Sequence, residues 1–246
     1  MSQWAREFYE GRSVVVTGGT GGIGFALARA FAGAGAKVSI TGATLEEIGM
    51  ALAQGAGGMG LGILDVRDDE AVMAFAASLE RVDVLVNCAG VNLRAAELTP
   101  QGFATVVDIN LNGSMRTAYA LREKLAAGGG GAILNIASMY AFFGAPHAPG
   151  YAASKGGVAQ LTKSLAVAFA PDGIRVNALA PGWIETAMTA VPRANAARSA
   201  ELVGRTPMAR WGVPDDLVGP ALFLCSPLAG FVTGTILPVD GGFLVS

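Results

Sequence analysis

Apolar residues in this chain fall into two kinds of segment. Short, nearly continuous apolar runs occupy positions 14–16, 37–41, 60–64, 82–86, 132–137, 174–179 and 234–239. Runs of that length without polar alternation predict strands buried on both faces, as in a parallel sheet. Between them lie longer segments with helical spacing of apolar residues. These predict helices over 25–34, 45–54, 68–79, from about 100 past Asn110 to about 126, over 150–169 and over 214–225. Thr99 and Pro100 suit the N-cap and first position of the fourth of these. Residues 187–207 carry scattered Ala, Pro and Arg (Arg193, Arg198, Arg205) with weak periodicity, and are expected to form a mobile lid over a pocket. Strands and helices alternate without a linker-like break. The expected architecture is one α/β unit over 1–246, a doubly wound, seven-stranded parallel sheet in a three-layer α/β/α arrangement. Ligands of such sheets bind at the carboxyl ends of the strands.

Composition narrows the class. At 246 residues and 52% hydrophobic, the chain is long enough for a large buried core. A net charge of −2 with 15% charged residues gives no sign of nucleic-acid binding. Cys88 and Cys225 lie in apolar segments without paired spacing, so they are expected to be buried thiols in a reducing compartment. The first residues lack a signal-peptide core, and no apolar run reaches the ~18 residues of a membrane span. The expectation is a cytoplasmic protein without membrane partners.

The first candidate chemistry follows the first strand. Thr17-Gly18-Gly19-Thr20-Gly21-Gly22-Ile23-Gly24 passes from a strand into a helix, the context that makes a glycine motif informative. Gly18 permits the tight turn; Gly22 and Gly24 let backbone and helix approach, so that a pyrophosphate can rest on the helix N-terminus. The second strand ends at Gly42-Ala43-Thr44, where an acid would select NAD and an Arg would accept the NADP phosphate. Neither is present; Thr41 or Thr44 could hydrogen-bond a 2′-phosphate, and both cofactors stay open. Asp65-Val66 could line an adenine pocket, although Asp65 also suits a helix cap. The fourth strand ends in Asn87-Cys88-Ala89-Gly90. Asn110, unfavourable in mid-helix by propensity, is expected to be buried and bonded, either holding the neighbouring strand or ordering a water.

The second candidate lies over 138–155. Ser138 ends the fifth strand, and Tyr151 and Lys155 fall in the first turns of the following helix. Residues four apart on a helix share a face. A free phenol, with a pKa of about 10, is a poor base at neutral pH. A neighbouring ammonium should lower that value and fit the phenol to exchange a proton at a carbonyl or alcohol oxygen, with Ser138 holding the same oxygen. The spacing alone is a weak signal; its context makes it specific.

Taken together, these motifs resemble the short-chain dehydrogenase/reductase family over essentially the whole chain. The matching features are Thr17-Gly18-x-x-x-Gly22-Ile23-Gly24, Asn110, Ser138, Tyr151-x-x-x-Lys155, and Pro181-Gly182 followed by Thr186. One departure is Cys88, where the family usually has a second Asn. The resemblance implies a Rossmann-type NAD(P)(H)-dependent oxidoreductase interconverting a secondary alcohol and a ketone, without a metal. It implies Tyr151 as general acid/base, Lys155 lowering its pKa and holding the nicotinamide ribose, Ser138 polarising the carbonyl and Asn110 ordering a relay water. The implied cofactor set is Gly18, Thr20, Gly22, Ile23, Gly24, Asp65, Val66, Asn87, Ala89, Gly90, Tyr151, Lys155, Pro181, Gly182, Ile184 and Thr186, and the implied assembly is a homotetramer.

The substrate is less defined. Asn92, Leu93, Arg94, Met139, Tyr140, Phe142, Phe143, His147, Trp183 and Met188 are candidate pocket residues, most of them apolar, which points to a small, cyclic or hydrophobic ketone. Arg94 could anchor a carboxylate or be a solvated loop charge, and His147 could be structural. Two further readings are a 3-oxoacyl-[acyl-carrier-protein] reductase, which would need a basic surface beside the pocket, and a non-catalytic dinucleotide sensor, which would be expected to have a broken Ser–Tyr–Lys set.

Overall fold

The computed structural model describes residues 3–246. Seven parallel strands form one sheet: β1 (Ser13–Thr17), β2 (Lys37–Gly42), β3 (Gly60–Ile63), β4 (Val84–Asn87), β5 (Ala132–Ile136), β6 (Arg175–Pro181) and β7 (Ile236–Val239), in the order β3-β2-β1-β4-β5-β6-β7. The order reverses direction between β1 and β4, which opens a crevice at their carboxyl ends. The helices are α1 (Gln3–Tyr9), α2 (Gly22–Gly33), α3 (Leu45–Ala53), α4 (Asp69–Ser78), α5 (Pro100–Val107), α6 (Gly113–Ala126), α7 (Pro149–Ala168), α8 (Ala190–Ala194), α9 (Ala196–Gly204) and α10 (Val218–Cys225).

Strand side chains alternate between two cores, which explains their unbroken apolar character. Val14, Val16, Val84, Val86 and Leu134 pack on one face with Leu27 and Phe31 of α2 and Leu222 and Leu224 of α10. Val15, Leu85, Ile133 and Val176 pack on the other with Leu121 and Leu125 of α6 and Leu165 of α7. Burying each such side chain contributes roughly 1.5–3 kcal/mol.

Four local features depart from expectation. Helix α1 has no counterpart in the pattern reading; its Tyr9 hydroxyl is buried and donates to the Leu222 carbonyl at 2.5 Å. The helix expected from 100 to 126 is interrupted at Asp108–Asn112 by a wide π turn, a local bulge frequent at functional sites. The cap of α4 is Asp68, which accepts from the Ala71 amide, while Asp65 pairs with Arg67 instead. Residues 187–207, expected as a mobile lid and assigned no helix for their weak periodicity, form a short 3-10 turn and helices α8 and α9. The cap on α9 is Asn195, whose side chain accepts from the Arg198 amide.

Candidate active site

The carboxyl ends of the strands and the turns that follow them enclose a cavity of about 470 Å³. Of the site residues expected from sequence, all but Asn87 and Asn110 border it. At one end Gly18 has φ +63°, and a Cβ there would lie 2.6 Å from Ala89 Cα. A Cβ on Gly24 would lie 2.2 Å from the Gly18 carbonyl oxygen. These glycines are therefore required by close backbone approach, not only by flexibility. Helix α2 begins at Gly22 after Gly21, with no side-chain cap and no acid in its first turn. Its free amides face an anion-binding position. A cradle that admits no Cβ, leading into an uncapped helix N-terminus, fits the pyrophosphate of a dinucleotide.

Further along this end, Asp65, Val66 and Arg67 border the cavity. Arg67 holds Asp65 through bonds of 2.6 and 3.0 Å, and this pairing keeps the carboxyl below its ordinary pKa. Glu47 and Met50 of α3 also border it and were not anticipated. The signal for Glu47 was local: Thr44 caps α3 by accepting from the Glu47 amide, and Glu47 reaches back as in a capping box. Its carboxylate accepts from the Ala43 amide, the first residue after β2, at 2.7 Å.

At the other end the three reacting candidates meet. Ser138, 5% exposed, follows β5 and accepts from the Tyr140 amide. Tyr151 and Lys155 project from the first turns of α7. The Lys155 ammonium donates to the Ile136 carbonyl at 2.6 Å and lies 5.6 Å from the centroid of the Tyr151 ring. Burial pushes the Tyr151 phenol up to about 12, partly opposed by a bond with the Ser138 hydroxyl. Burial likewise brings the Lys155 ammonium down to about 8. The expectation of a phenol made acidic by its lysine is therefore corrected for the free protein: desolvation dominates, nearby Cys88, Tyr140 and Glu97 add to it, and only the Ser138 hydroxyl opposes it.

The two asparagines outside the cavity hold its walls. Asn87 donates to the Ser114 carbonyl at 3.1 Å and to Asn135 Oδ1 at 3.0 Å, and accepts from the Thr117 hydroxyl at 2.7 Å. Its side chain ties β4 to β5 and α6. The Asn110 amide accepts from the Val91 N–H at 2.8 Å and donates to the Val91 carbonyl and the Ser154 hydroxyl, both at 3.0 Å. These bonds are of the strand-holding kind, one of its two expected uses.

On the outer side, Tyr140 stands edge-on to both Tyr151 and Trp183, with ring centroids 6.2 Å apart in each pair. Trp183 in turn contacts Trp211, which was not anticipated and whose indole N–H donates to the Ser199 hydroxyl of α9. The Trp183 indole N–H has no partner among the described residues. Arg94 sits at φ +52° and donates to the Met188 carbonyl at 2.7 Å, joining the loop after β4 to the segment that precedes α8. Met188 borders the cavity. Met139 is buried and His147 is exposed, and neither borders the cavity.

Sheet, cradle and Ser–Tyr–Lys cluster define a nucleotide-dependent oxidoreductase. A family model described as enoyl-(acyl carrier protein) reductase matches residues 18–244. The chain is 39% identical over 245 residues to a 2-dehydro-3-deoxy-D-gluconate 5-dehydrogenase of Pseudoalteromonas atlantica, covering 96% of each chain. It is also 39% identical over 248 residues to a galactitol 2-dehydrogenase of Cereibacter sphaeroides, again covering 96% of each. A gluconate 5-dehydrogenase from Burkholderia cenocepacia, solved with NADP and tartrate, superposes with a TM-score of 0.91 over 100% of both chains at 35% identity. The chain belongs to the short-chain dehydrogenase/reductase family. It is an NAD(P)(H)-dependent oxidoreductase that interconverts a secondary alcohol and a ketone.

Proposed function

We propose that this enzyme oxidises a secondary hydroxyl of a small polyhydroxy acid, or reduces the corresponding keto acid. Tyr151 is the general acid/base at the reacting oxygen, Ser138 holds that oxygen, and Lys155 orients the cofactor ribose and the phenol. The bound nicotinamide cofactor supplies hydride transfer. In the oxidative direction the alcohol proton passes to the Tyr151 phenolate while its carbon loses hydride; reduction reverses both transfers. Gly18, Thr20, Gly22, Ile23 and Gly24 receive the pyrophosphate, Asp65 and Val66 the adenine, and Ala89 and Gly90 the adjoining backbone contacts. Pro181, Gly182, Ile184 and Thr186 bound the nicotinamide side. Asn110 acts as a positioning residue for this wall. One observation carries the reading: Ser138, Tyr151 and Lys155 border the same cavity as the glycine cradle.

Two features support an acidic substrate. Several relatives are named for gluconate derivatives, and Arg94 stands on the loop beside the site with one guanidinium edge on Met188. We assign Arg94 to the substrate carboxylate. The acyl-carrier alternative is disfavoured because most arginines near the lid are in ion pairs, Arg193 with Glu185, Arg198 with Glu201 and Arg210 with Asp216, which leaves only Arg205, stacked over the Phe243 ring, as a lid cation without a carboxylate partner among the described residues. Glu47 on the Ala43 amide supports NAD(H) over NADP(H), since it places a negative charge where the second strand ends. The homotetramer is proposed on exposed Met115 and Tyr119 of α6 and Val167 of α7. A cytoplasmic location is proposed on two free cysteines, one buried and one partly buried. Steady-state assays with NAD⁺ and NADP⁺ across gluconate-type acids, polyols and a β-ketoacyl thioester test the reading. Turnover of the thioester alone would overturn it.

A further inference from the structure

Glu97 is 1% exposed, and no cation lies within ion-pair distance of its carboxylate among the described residues. A buried charge of that kind persists only where hydrogen bonds hold it. Here two main-chain amides do so. Oε1 accepts from the Leu93 N–H at 2.7 Å, and Oε2 accepts from the Tyr151 N–H at 2.7 Å. Tyr151 is the third residue of α7, and the helix's own N-cap residue, Ala148, offers no side-chain bond. The cap of the helix carrying the acid–base phenol therefore comes from a glutamate 54 residues away, at the end that favours a negative charge.

The fit around this contact is close. A Cβ at Gly150 would lie 3.4 Å from Glu97 Oε2 and 3.2 Å from Phe103 Cα. The other carboxylate oxygen fixes the turn that presents Arg94, and Arg94 reaches Met188 beyond it. One side chain thus fastens the Leu93–Arg94 loop to the main chain of Tyr151. We propose that Glu97 is a positioning residue: it sets the Tyr151 phenol against Ser138 and couples that placement to the Leu93–Arg94 loop at the outer side of the cavity. A glutamine in its place offers one acceptor and turns an N–H₂ toward the second amide, so one of the two bonds must be lost. A displacement of about 1 Å at a reacting group can reduce turnover about 100-fold.

The inference rests on Tyr151 being the acid–base group, and the experiment separates the two. Full-length wild type, Glu97→Gln, Glu97→Asp and Tyr151→Phe are compared, with D-gluconate and nucleotide as probes. Nucleotide affinity is read by fluorescence, and phenolate formation by absorbance at 295 nm with the Tyr151→Phe trace subtracted. For Glu97→Gln the expected result is nucleotide affinity within about twofold of wild type and kcat reduced about 10- to 100-fold. The Tyr151 phenolate should also appear at lower pH. The sign follows from removing a negative charge that opposes the phenolate. The other groups facing the phenol are unchanged: Lys155 on α7, Cys88 after β4, and Tyr140 and Ser138 after β5. If Glu97→Gln does not fold, Glu97→Asp keeps the charge and shortens the reach. Its expected result is reduced kcat with the phenolate titration in place. Wild-type kcat and titration in Glu97→Gln, or wild-type kcat in Glu97→Asp, overturn the inference. Full turnover in Tyr151→Phe instead overturns the acid–base assignment itself. Should D-gluconate not turn over, the phenolate titration decides alone: an unmoved trace in Glu97→Gln overturns the inference.

Discussion

The Lys155 ammonium donates to the main-chain carbonyl of Ile136 at 2.6 Å, binding the reacting helix to the end of the central strand. This contact holds the lysine in place although burial disfavours its charge, which lowers its pKa to about 8. An unfolded lysine titrates near its ordinary 10.5. Between those values the unfolded chain binds the extra proton, so folding stability should rise with pH. Tyr151, raised to about 12 from its ordinary 10, begins to oppose this rise near pH 10, but it is present in both proteins compared below and largely cancels. Urea unfolding of wild type against Lys155→Met should show a relative gain of roughly 2–3 kcal/mol for wild type between pH 8 and 10. A difference that stays flat over that range would contradict the buried placement.

The glycine cradle allows a second test. A Cβ on Gly24 would meet the Gly18 carbonyl oxygen at 2.2 Å, and backbone cannot yield as a flexible side chain can. Gly24→Ala should cost about 1–3 kcal/mol of stability, as overpacking does, and weaken nucleotide binding at least tenfold. Isothermal titration reads both enthalpy and affinity. Tight binding by the variant would mean that the cradle is looser than the contact distances imply.

Asn110→Ala would leave the Val91 N–H and carbonyl without their partner and remove the bond that the Ser154 hydroxyl accepts, while its donation to the Tyr151 carbonyl stays. Buried groups orphaned in this way cost about 1–3 kcal/mol each at most. The expected outcome is a clear drop in Tm together with reduced kcat, because the Val91 wall and the Ser154 turn of α7 both loosen. Loss of kcat with no change in Tm would instead favour a role at a water, and would count against the positioning role.

Cofactor choice is read at Glu47. Its carboxylate occupies the Ala43 amide at 2.7 Å, so a second phosphate there would meet a negative charge in place of a donor. NADH should bind at least tenfold more tightly than NADPH, and Glu47→Gln should narrow the ratio chiefly by improving NADPH. Equal affinities in wild type would remove Glu47 as a determinant.

Much of this architecture was legible in the chain itself. Val14–Val16 and Leu134 sit in central strands buried on both sides, so their apolar runs were unbroken, and the glycines between 18 and 24 marked the turn that follows. Ser138, Tyr151 and Lys155 were legible because a strand end and one helical turn bring them together locally. What escaped is set by distant contacts. Glu97 carries no signal in the sequence, lying between Ala96 and Leu98, until the fold brings it to an amide 54 residues away. The π turn at Asp108–Asn112 depends on where Val91 and Ser154 lie. Asp65 and Asp68 both suit a cap by residue type, and only geometry separates them. The pKa of Tyr151 was misjudged for a related reason: sequence displays the neighbouring lysine but not the depth of burial.

The most direct measurement is single-turnover hydride transfer by Tyr151→Phe, with nucleotide affinity measured in parallel. The phenylalanine keeps the ring and removes only the hydroxyl that borders the cavity beside Ser138. The expected result is transfer slowed about 100- to 10,000-fold, the scale of a lost general acid/base, with nucleotide affinity close to wild type. Transfer at the wild-type rate would contradict the account.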